Sequence, residues 1–377
     1  MNHKSSNALV NAYNSIANMK EDFISFMILI FILIIILIVI AYFIYLSKLQ
    51  VSECNFMSDL YGTLDGKIRS INQGDEQCTY NFNEYYIKTA YNSCSGGSYK
   101  NDFVNICNLK NLIKQGVRGL DFELYSIGDS PVVSTSTSDN YYIKETYNYV
   151  NFADVMSTIE NYAFSGGTAP NSTDPIIIHL RIKSNNQAMY TNLANIFKAY
   201  DNRMLGKDYS FENYGHNIGN EPLLSFVNKI ILIVDRINGS FLDNKEFLEY
   251  VNLTSNSIFM RGYSYYDIKN NPDINELQQY NKRSMTIVFP DNGENPVNPS
   301  GYLVRDTGSQ MLAMRFQYID NFLEENTLFF DQGGYAFILK PERLRYVPVT
   351  IPKPTPQDPA LSYQTRDVGT DYYNFKY

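Results

Sequence analysis

Two acids on alternate positions, Asp121 and Glu123, stand between Leu120, Phe122 and Leu124 in the stretch GVRGLDFELYSIGDSPVVSTSTSD, Gly116 to Asp139. On a strand, alternate side chains share a face, so both carboxylates point one way and the three apolar groups the other. A carboxylate pair aimed at one place suits a metal ion or a proton transfer. The same stretch ends in a run of small hydroxyl residues through Ser134, Thr135 and Ser136, with no histidine among them. The whole chain holds only three histidines, His3, His179 and His216.

Further polar candidates are Asn92, Ser134, Thr135 and Arg181. Each falls at the end of a segment that reads as a strand. YYIKTA, LDFEL, PVVSTS, DPIIIHLRI, NKIILIVDRI, SMTIVF, SQMLAMRFQ and GGYAFILKP are the strand candidates. FVNICNLKNLIKQG, VNFADVMSTIENYAF, NNQAMYTNLANIFKAY and the stretch around IDNFLEEN read as helices between them. Strands alternating with helices over this length predict a parallel α/β fold, first of all a TIM-type (β/α)8 barrel, with the site at the C-terminal strand ends.

FISFMILIFILIIILIVIAYFIYL, Phe23 to Leu46, carries no charge. A helix needs about 20 apolar residues to cross a bilayer, and Tyr42 and Tyr45 lie where interfacial aromatics belong. A cleaved signal peptide is the competing reading. The run is too long for one, and no small-x-small site comes after it. The basic residues Lys4, Lys20 and Lys48 are nearly balanced across the span and do not orient it. The remaining organisation reads as a tail over 1–22, a stalk over 47–79 with a helix inside 51–71, a barrel over 80–345 and a Pro-rich, extended C-terminal tail over 346–377. We expect a single-pass membrane protein preceding its barrel with one transmembrane helix.

Formal net charge is −8 and no basic run stands out, which argues against a nucleic-acid partner. Cys54, Cys78, Cys94 and Cys107 cluster after the apolar run, and their spacings match no zinc pattern. Two disulfides on an oxidising side of the membrane are the expectation, and four reduced core thiols the alternative. Sequons at Asn171, Asn238 and Asn252 permit glycosylation.

Several segments together resemble the eukaryotic-type phosphoinositide-specific phospholipases C. NKRSMTIVFP (281–290) resembles that family's Asn-Lys-Arg-x-Met-Ser-Arg-Ile-Tyr-Pro. GSQMLAMRFQ (308–317) and GGYAFILKPERLR (333–345) are similar to two later family segments. YYIKTAYNS, GVRGLDFEL, PVVST, FADVMSTIENYAF and DPIIIHL match the first half, so the resemblance covers roughly 80–345 in order. It implies a split X/Y barrel that cleaves inositol phospholipids with two histidines, a calcium ion held by acids, and basic residues on the ring phosphates.

Position by position, the chain departs from that pattern. Tyr91 falls where the first histidine stands, and the calcium-binding Asn is kept as Asn92. The acid pair is swapped, as Asp121 and Glu123. The second histidine falls on Thr135, and a calcium-binding Glu on Arg181. The phosphate-binding positions fall on Ile233, Asp235, Ile287 and Phe289. A general base needs a pKa near the operating pH, which tyrosine and threonine lack. Arg181 is expected to take the calcium's place beside Asp121, Glu123 and Asn92. The alternative is a pair of ordinary surface acids with a solvated Arg181. His179 shares a strand face with Arg181 and reads as a core histidine one layer below, with a rescue of the lost base as the sharper alternative.

The residues support two functional readings. One is a membrane-anchored phospholipase-C-like pseudoenzyme with no metal, serving as a binding or structural module with a lipid or protein partner. The other is an active, calcium-dependent phosphodiesterase with a rearranged site. The anchor, the cysteine cluster and the tail suit a surface or virion membrane protein. The Asn- and Ile-rich, Trp-free composition fits an AT-rich genome such as that of a large DNA virus.

Overall fold

The structure is a computed structural model that describes residues 3–138, 140, 142–210, 217–348, 352–358, 361 and 365–376. His216 lies outside the described residues. The polypeptide forms one compact unit up to Arg345 and a second over Tyr346–Tyr377.

Helix α1 (His3–Tyr61) is continuous from near the chain start to the barrel. Its Tyr13–Tyr61 stretch is long and apolar enough to cross a membrane by composition. From Phe23 to Tyr45 its large apolar side chains, Ile30 excepted, are exposed. The expected stalk over 47–79 is not a free spacer. Its first part continues α1, where Met57 is buried, and Ile68 and Ile71 of its later part are also buried. The Ile71 N–H donates to Asp174 Oδ1 at 2.8 Å. The helix expected through Ile68 stops at Tyr61, seven residues earlier than its apolar spacing predicts, because Gly62 and the chain after it turn onto the barrel.

Among the described residues, eight parallel strands form the barrel in the order β7-β6-β5-β2-β1-β10-β9-β8. They are β1 (Tyr85–Ala90), β2 (Gly119–Ile127), β5 (Ile176–Ile182), β6 (Ile230–Asp235), β7 (Leu253–Ser255), β8 (Met260–Ser264), β9 (Met285–Phe289) and β10 (Met311–Met314). The ring is nearly closed, with β7 and β8 at its two ends. β3 (Ser130–Ser134) and β4 (Val150–Asn151) extend β2 antiparallel, and β11 (Phe337–Leu339) pairs antiparallel with β1. PVVSTS and GGYAFILKP are therefore strands outside the ring. Two ring strands, β7 and β8, are too short and too polar to stand out in the sequence.

Helices α2 (Ile106–Lys114), α3 (Phe152–Thr158), α4 (Gln187–Lys198), α5 (Lys245–Leu248), α6 (Tyr265–Lys269), α7 (Ile274–Asn281), α8 (Gly301–Asp306) and α9 (Asn321–Gly333) connect the strands. Asn105 and Asn186 cap α2 and α4 by accepting from the Cys107 and Ala188 amides. The second unit carries one antiparallel pair, β12 (Asp367–Gly369) with β13 (Asn374–Lys376), so the tail is not extended throughout.

Alternation sorts the strands' side chains into two layers. Leu120, Phe122 and Leu124 of β2, Ile178 and Leu180 of β5, and Leu232 and Val234 of β6 pack outward against the helices. Ile87, Ile177, Ile231, Ile233, Leu253, Ile287 and Met311 fill the lower barrel interior. Going up the same inward rows, apolar groups give way to Asp121, Glu123, His179, Arg181 and Ser255. The register sets Asp121 beside His179 and Glu123 beside Arg181. An apolar floor thus carries a polar layer at the C-terminal strand ends.

Candidate functional site

Arg181 is the hub of that layer. Its Nε donates to Asp121 Oδ1 at 3.1 Å, and its Nη2 to Asp121 Oδ2 at 2.8 Å. Nη1 donates to Glu123 Oε1 at 2.7 Å, and Nη2 also to Asn92 Oδ1 at 2.9 Å. The guanidinium lies 4.5 Å from the Tyr91 ring centre and 5.5 Å from that of Phe289. It is only 3% exposed, so neither a solvated arginine nor a surface acid pair describes this cluster. A planar fork against a carboxylate, roofed by aromatic rings, is an arrangement that lysine could not reproduce.

The two carboxylates have their other lone pairs taken as well. Asp121 Oδ2 accepts the Asn92 N–H at 3.2 Å. Asn92 reaches it with φ 45°, a left-handed conformation that asparagine tolerates better than most residues. Asp121 Oδ1 accepts from His179 Nδ1 at 2.8 Å. Glu123 Oε2 accepts the Tyr125 hydroxyl at 2.7 Å, the Ser136 N–H at 2.9 Å and the Ser136 hydroxyl at 3.2 Å. The hydroxyl-rich run after β3 therefore serves Glu123 through Ser136. Thr135 turns away, its hydroxyl donating to the Tyr99 carbonyl at 3.1 Å, and Ser134 bonds Thr146.

Electrostatics follow from these contacts. Burial alone would raise the Asp121 carboxyl. The Arg181 charge and the hydrogen bonds from His179 and Arg181 outweigh it and hold Asp121 well below the usual carboxylate range. Burial, reinforced by the Glu123 charge, pushes the Tyr125 phenol up, so it stays a donor to Glu123.

His179 belongs to this network. Its Nε2 lies 3.0 Å from Ser255 Oγ, which donates to Asp235 Oδ1 at 3.1 Å. Asn256 Nδ2 also donates to Asp235, at 2.6 Å. Asp121, His179 and Ser255 thus stand in a row, but the single Ser255 proton goes to Asp235 and not to His179, so the hydroxyl is not set up as a triad nucleophile. His179, Asp121 and Ser255 are each 0% exposed, so no substrate reaches the hydroxyl in this state. Asp235, expected at a phosphate position, instead ends this relay. Of the other phosphate positions, Ile233 and Ile287 are apolar floor, and Phe289 flanks Tyr91 and His179. Ser255, Tyr125 and Ser136 carry no signal in the sequence that marks them as site residues. Ser255 sits on a three-residue strand, and only the barrel register brings it to His179.

Calcium takes roughly six to eight oxygen ligands at about 2.3–2.6 Å. The oxygens converging here already accept protein hydrogen bonds, and a fixed positive charge stands between the two carboxylates. The residues present do not fit a calcium ion. Among the described residues, no grouping of three or more histidines, cysteines and acids has metal-site geometry.

The cysteines divide. Cys54 of α1 and Cys107 of α2 form a disulfide, whereas Cys78 and Cys94 are buried free thiols. The expected second bridge is absent. The three sequon asparagines are buried, and their amides donate inward: Asn171 to Gly116 O and Asp174, Asn238 to Ile182 O and Ser184 O, and Asn252 to Tyr209 O. A glycan on any of them is incompatible with this fold.

No known family model matches the chain, and no curated protein matches it. Solved structures do. PLC21 of S. officinalis superposes with a TM-score of 0.57 at 18% identity, over 71% of this chain and 38% of that one. PLC21 of L. pealei gives 0.55 at 17%, over 71% and 38%. A calcium-dependent phosphoinositol-specific phospholipase C from a Pseudomonas species gives 0.45 at 11%, over 70% and 96%. The chain thus spans well under half of the PLC21 chains, and the likeness at these identities is one of fold. The fold is a nearly closed parallel TIM-type barrel of the kind found in the two PLC21 structures.

Proposed function

We propose that this protein is a membrane-anchored phospholipase-C-like barrel that binds or scaffolds and does not hydrolyse phosphodiesters. One observation carries the reading: the Arg181 guanidinium lies between Asp121, Glu123 and Asn92, the groups that the family resemblance assigns to calcium. An internal cation takes the charge-neutralising part of the metal but offers no open position to a substrate oxygen. Tyr91 and Thr135, at the two histidine positions, supply no base near neutral pH. Ile233, Ile287 and Phe289 give ring phosphates no cation, and Asp235 repels them.

The apolar run Phe23–Leu46 is the anchor in this reading. The Cys54–Cys107 bridge favours an oxidising, non-cytosolic side for the barrel. The buried sequons lend no support to that side. A surface or virion membrane is the setting, with a lipid or protein partner and neither metal nor nucleic acid required.

Phosphatidylinositol cleavage by the full chain in detergent, with and without calcium, tests the reading. No turnover in either condition is expected. Calcium-dependent turnover would instead establish an active phosphodiesterase with a rearranged site.

A further inference from the structure

The segment YVPVTIPKPTPQDP, Tyr346 to Pro359, belongs to the second unit and takes no part in the barrel. Four of the chain's 14 prolines, Pro352, Pro354, Pro356 and Pro359, stand in its last eight residues. Proline holds φ near −65° and pushes the residue before it out of the helical region. In Pro-Lys-Pro-Thr-Pro, every residue from Pro352 to Pro356 is either a proline or the residue before one. Covalent geometry alone therefore sets this stretch into the left-handed polyproline II form. The prolines also lack the N–H that a helix or a central strand would require.

Residues 352–358 lie outside helix and strand, and each is exposed. Among the described residues, 352–357 make no hydrogen bond to the rest of the chain. The stretch closes at Asp358, whose carbonyl accepts the Leu361 N–H at 2.7 Å. A rod that is already ordered and already exposed loses little conformational freedom when a partner binds it.

Charge gives the rod a direction. Polyproline II has three residues per turn and rises about 3.1 Å per residue, so residues three apart share an edge at about 9 Å spacing. Lys353 and Pro356 share one edge, and the sequence sets Pro359, outside the described residues, at its next step. Lys353 is the only charged residue between Arg345 and Asp358. Asp358 falls on another edge, with Pro352 and Thr355, so it does not oppose a carboxylate set against Lys353.

We propose that Pro352–Asp358 is a polyproline ligand whose partner is a protein with an aromatic-lined groove ending in carboxylates, the groove type of an SH3 domain. The aromatic ridges receive the proline edge, and the carboxylates take the Lys353 ammonium. The inference concerns the tail alone and stands whether or not the barrel hydrolyses phosphodiesters.

The full chain in detergent is titrated calorimetrically with a set of isolated SH3 domains whose grooves end in an acidic pocket. Saturable binding to at least one of them is expected. Lys353→Glu and Pro356→Ala are each expected to weaken it about tenfold, the equivalent of one charge-assisted contact or one filled groove position. Pro352→Ala makes the same change on another edge and is expected to stay within about twofold of the parent. An unchanged urea midpoint of the barrel in all three variants separates lost binding from lost folding. No binding by any member of the set would overturn the proposal. Equal losses in Pro352→Ala and Pro356→Ala would overturn the assigned edge. Binding that survives Pro356→Ala but fades with Lys353→Glu and with added salt would show a charge contact only, which also contradicts the proposal.

Discussion

Arg181 and Asp121 meet at two points, Nε to Oδ1 at 3.1 Å and Nη2 to Oδ2 at 2.8 Å, with both side chains out of solvent. Two-point contacts of this kind fix orientation as well as charge. They also make the pair costly to break from one side.

Arg181→Met removes the cation and leaves two buried acids. Loss of one partner of a buried pair costs about 3–5 kcal/mol, and a lower unfolding midpoint in urea measures it. The pH dependence changes sign as well. In the native protein the Asp121 pKa is depressed, so its contribution is present above the ordinary carboxylate range and is lost as pH falls through the folded value. Without Arg181 the largest single influence left on that carboxyl is burial, which raises its pKa against the His179 hydrogen bond. The variant is then expected to lose stability as pH rises from acid towards neutral, opposite to the parent. Parallel pH profiles for the two proteins would contradict this account of the pair.

Asp121, His179 and Ser255 stand in a row, but the Ser255 hydroxyl donates to Asp235 and all three side chains are buried, which predicts inertness. A fluorophosphonate probe should leave Ser255 unlabelled in the folded protein. Labelling that disappears in Ser255→Ala would mean that the site opens.

Lys340 supplies an independent pH signature away from the site. Burial pushes its ammonium down to about 7, while Nζ donates to Asn281 O at 2.8 Å. The unfolded chain then binds the proton more tightly than the native one at pH values between about 7 and the ordinary lysine value of 10.5. Stability from this group therefore rises with pH across that window. The difference between parent and Lys340→Met urea midpoints should show that rise; a flat difference would contradict it.

The buried sequons give a simple check. Protein made in a glycosylating secretory host should show no mass change on treatment with an N-glycosidase. A shift lost in Asn238→Gln would mean that the loop after β6 is not packed as seen, because the Asn238 amide donates to Ile182 O and Ser184 O.

Much of the fold is legible in the sequence because strong alternation writes itself into the residues. LDFEL and DPIIIHLRI show both their apolar outer rows and their polar inner ones. The pairing of Glu123 with Arg181 needs only strand order and register beyond that. What stays hidden depends on contacts across the barrel. β7 is three residues long and carries Ser255, so neither the strand nor its link to His179 has a local signal. Apolar spacing carries α1 too far, because Leu64 and Ile68 continue a helical pattern while the chain there has already left the helix. The cysteines cluster in sequence, yet only Cys54 and Cys107 are brought together, by the docking of α1 on α2.

The central claim is that an arginine stands in for a metal ion. The most direct measurement is a calorimetric calcium titration of the full-length protein and of Arg181→Glu, with phosphatidylinositol cleavage monitored in the same preparations. The parent is expected to show neither heat of binding nor turnover, and Arg181→Glu to bind calcium through Asp121, Glu123, Asn92 and the new carboxylate. Calcium binding with turnover in the parent would contradict the claim and return Tyr91 and His179 to consideration as the base.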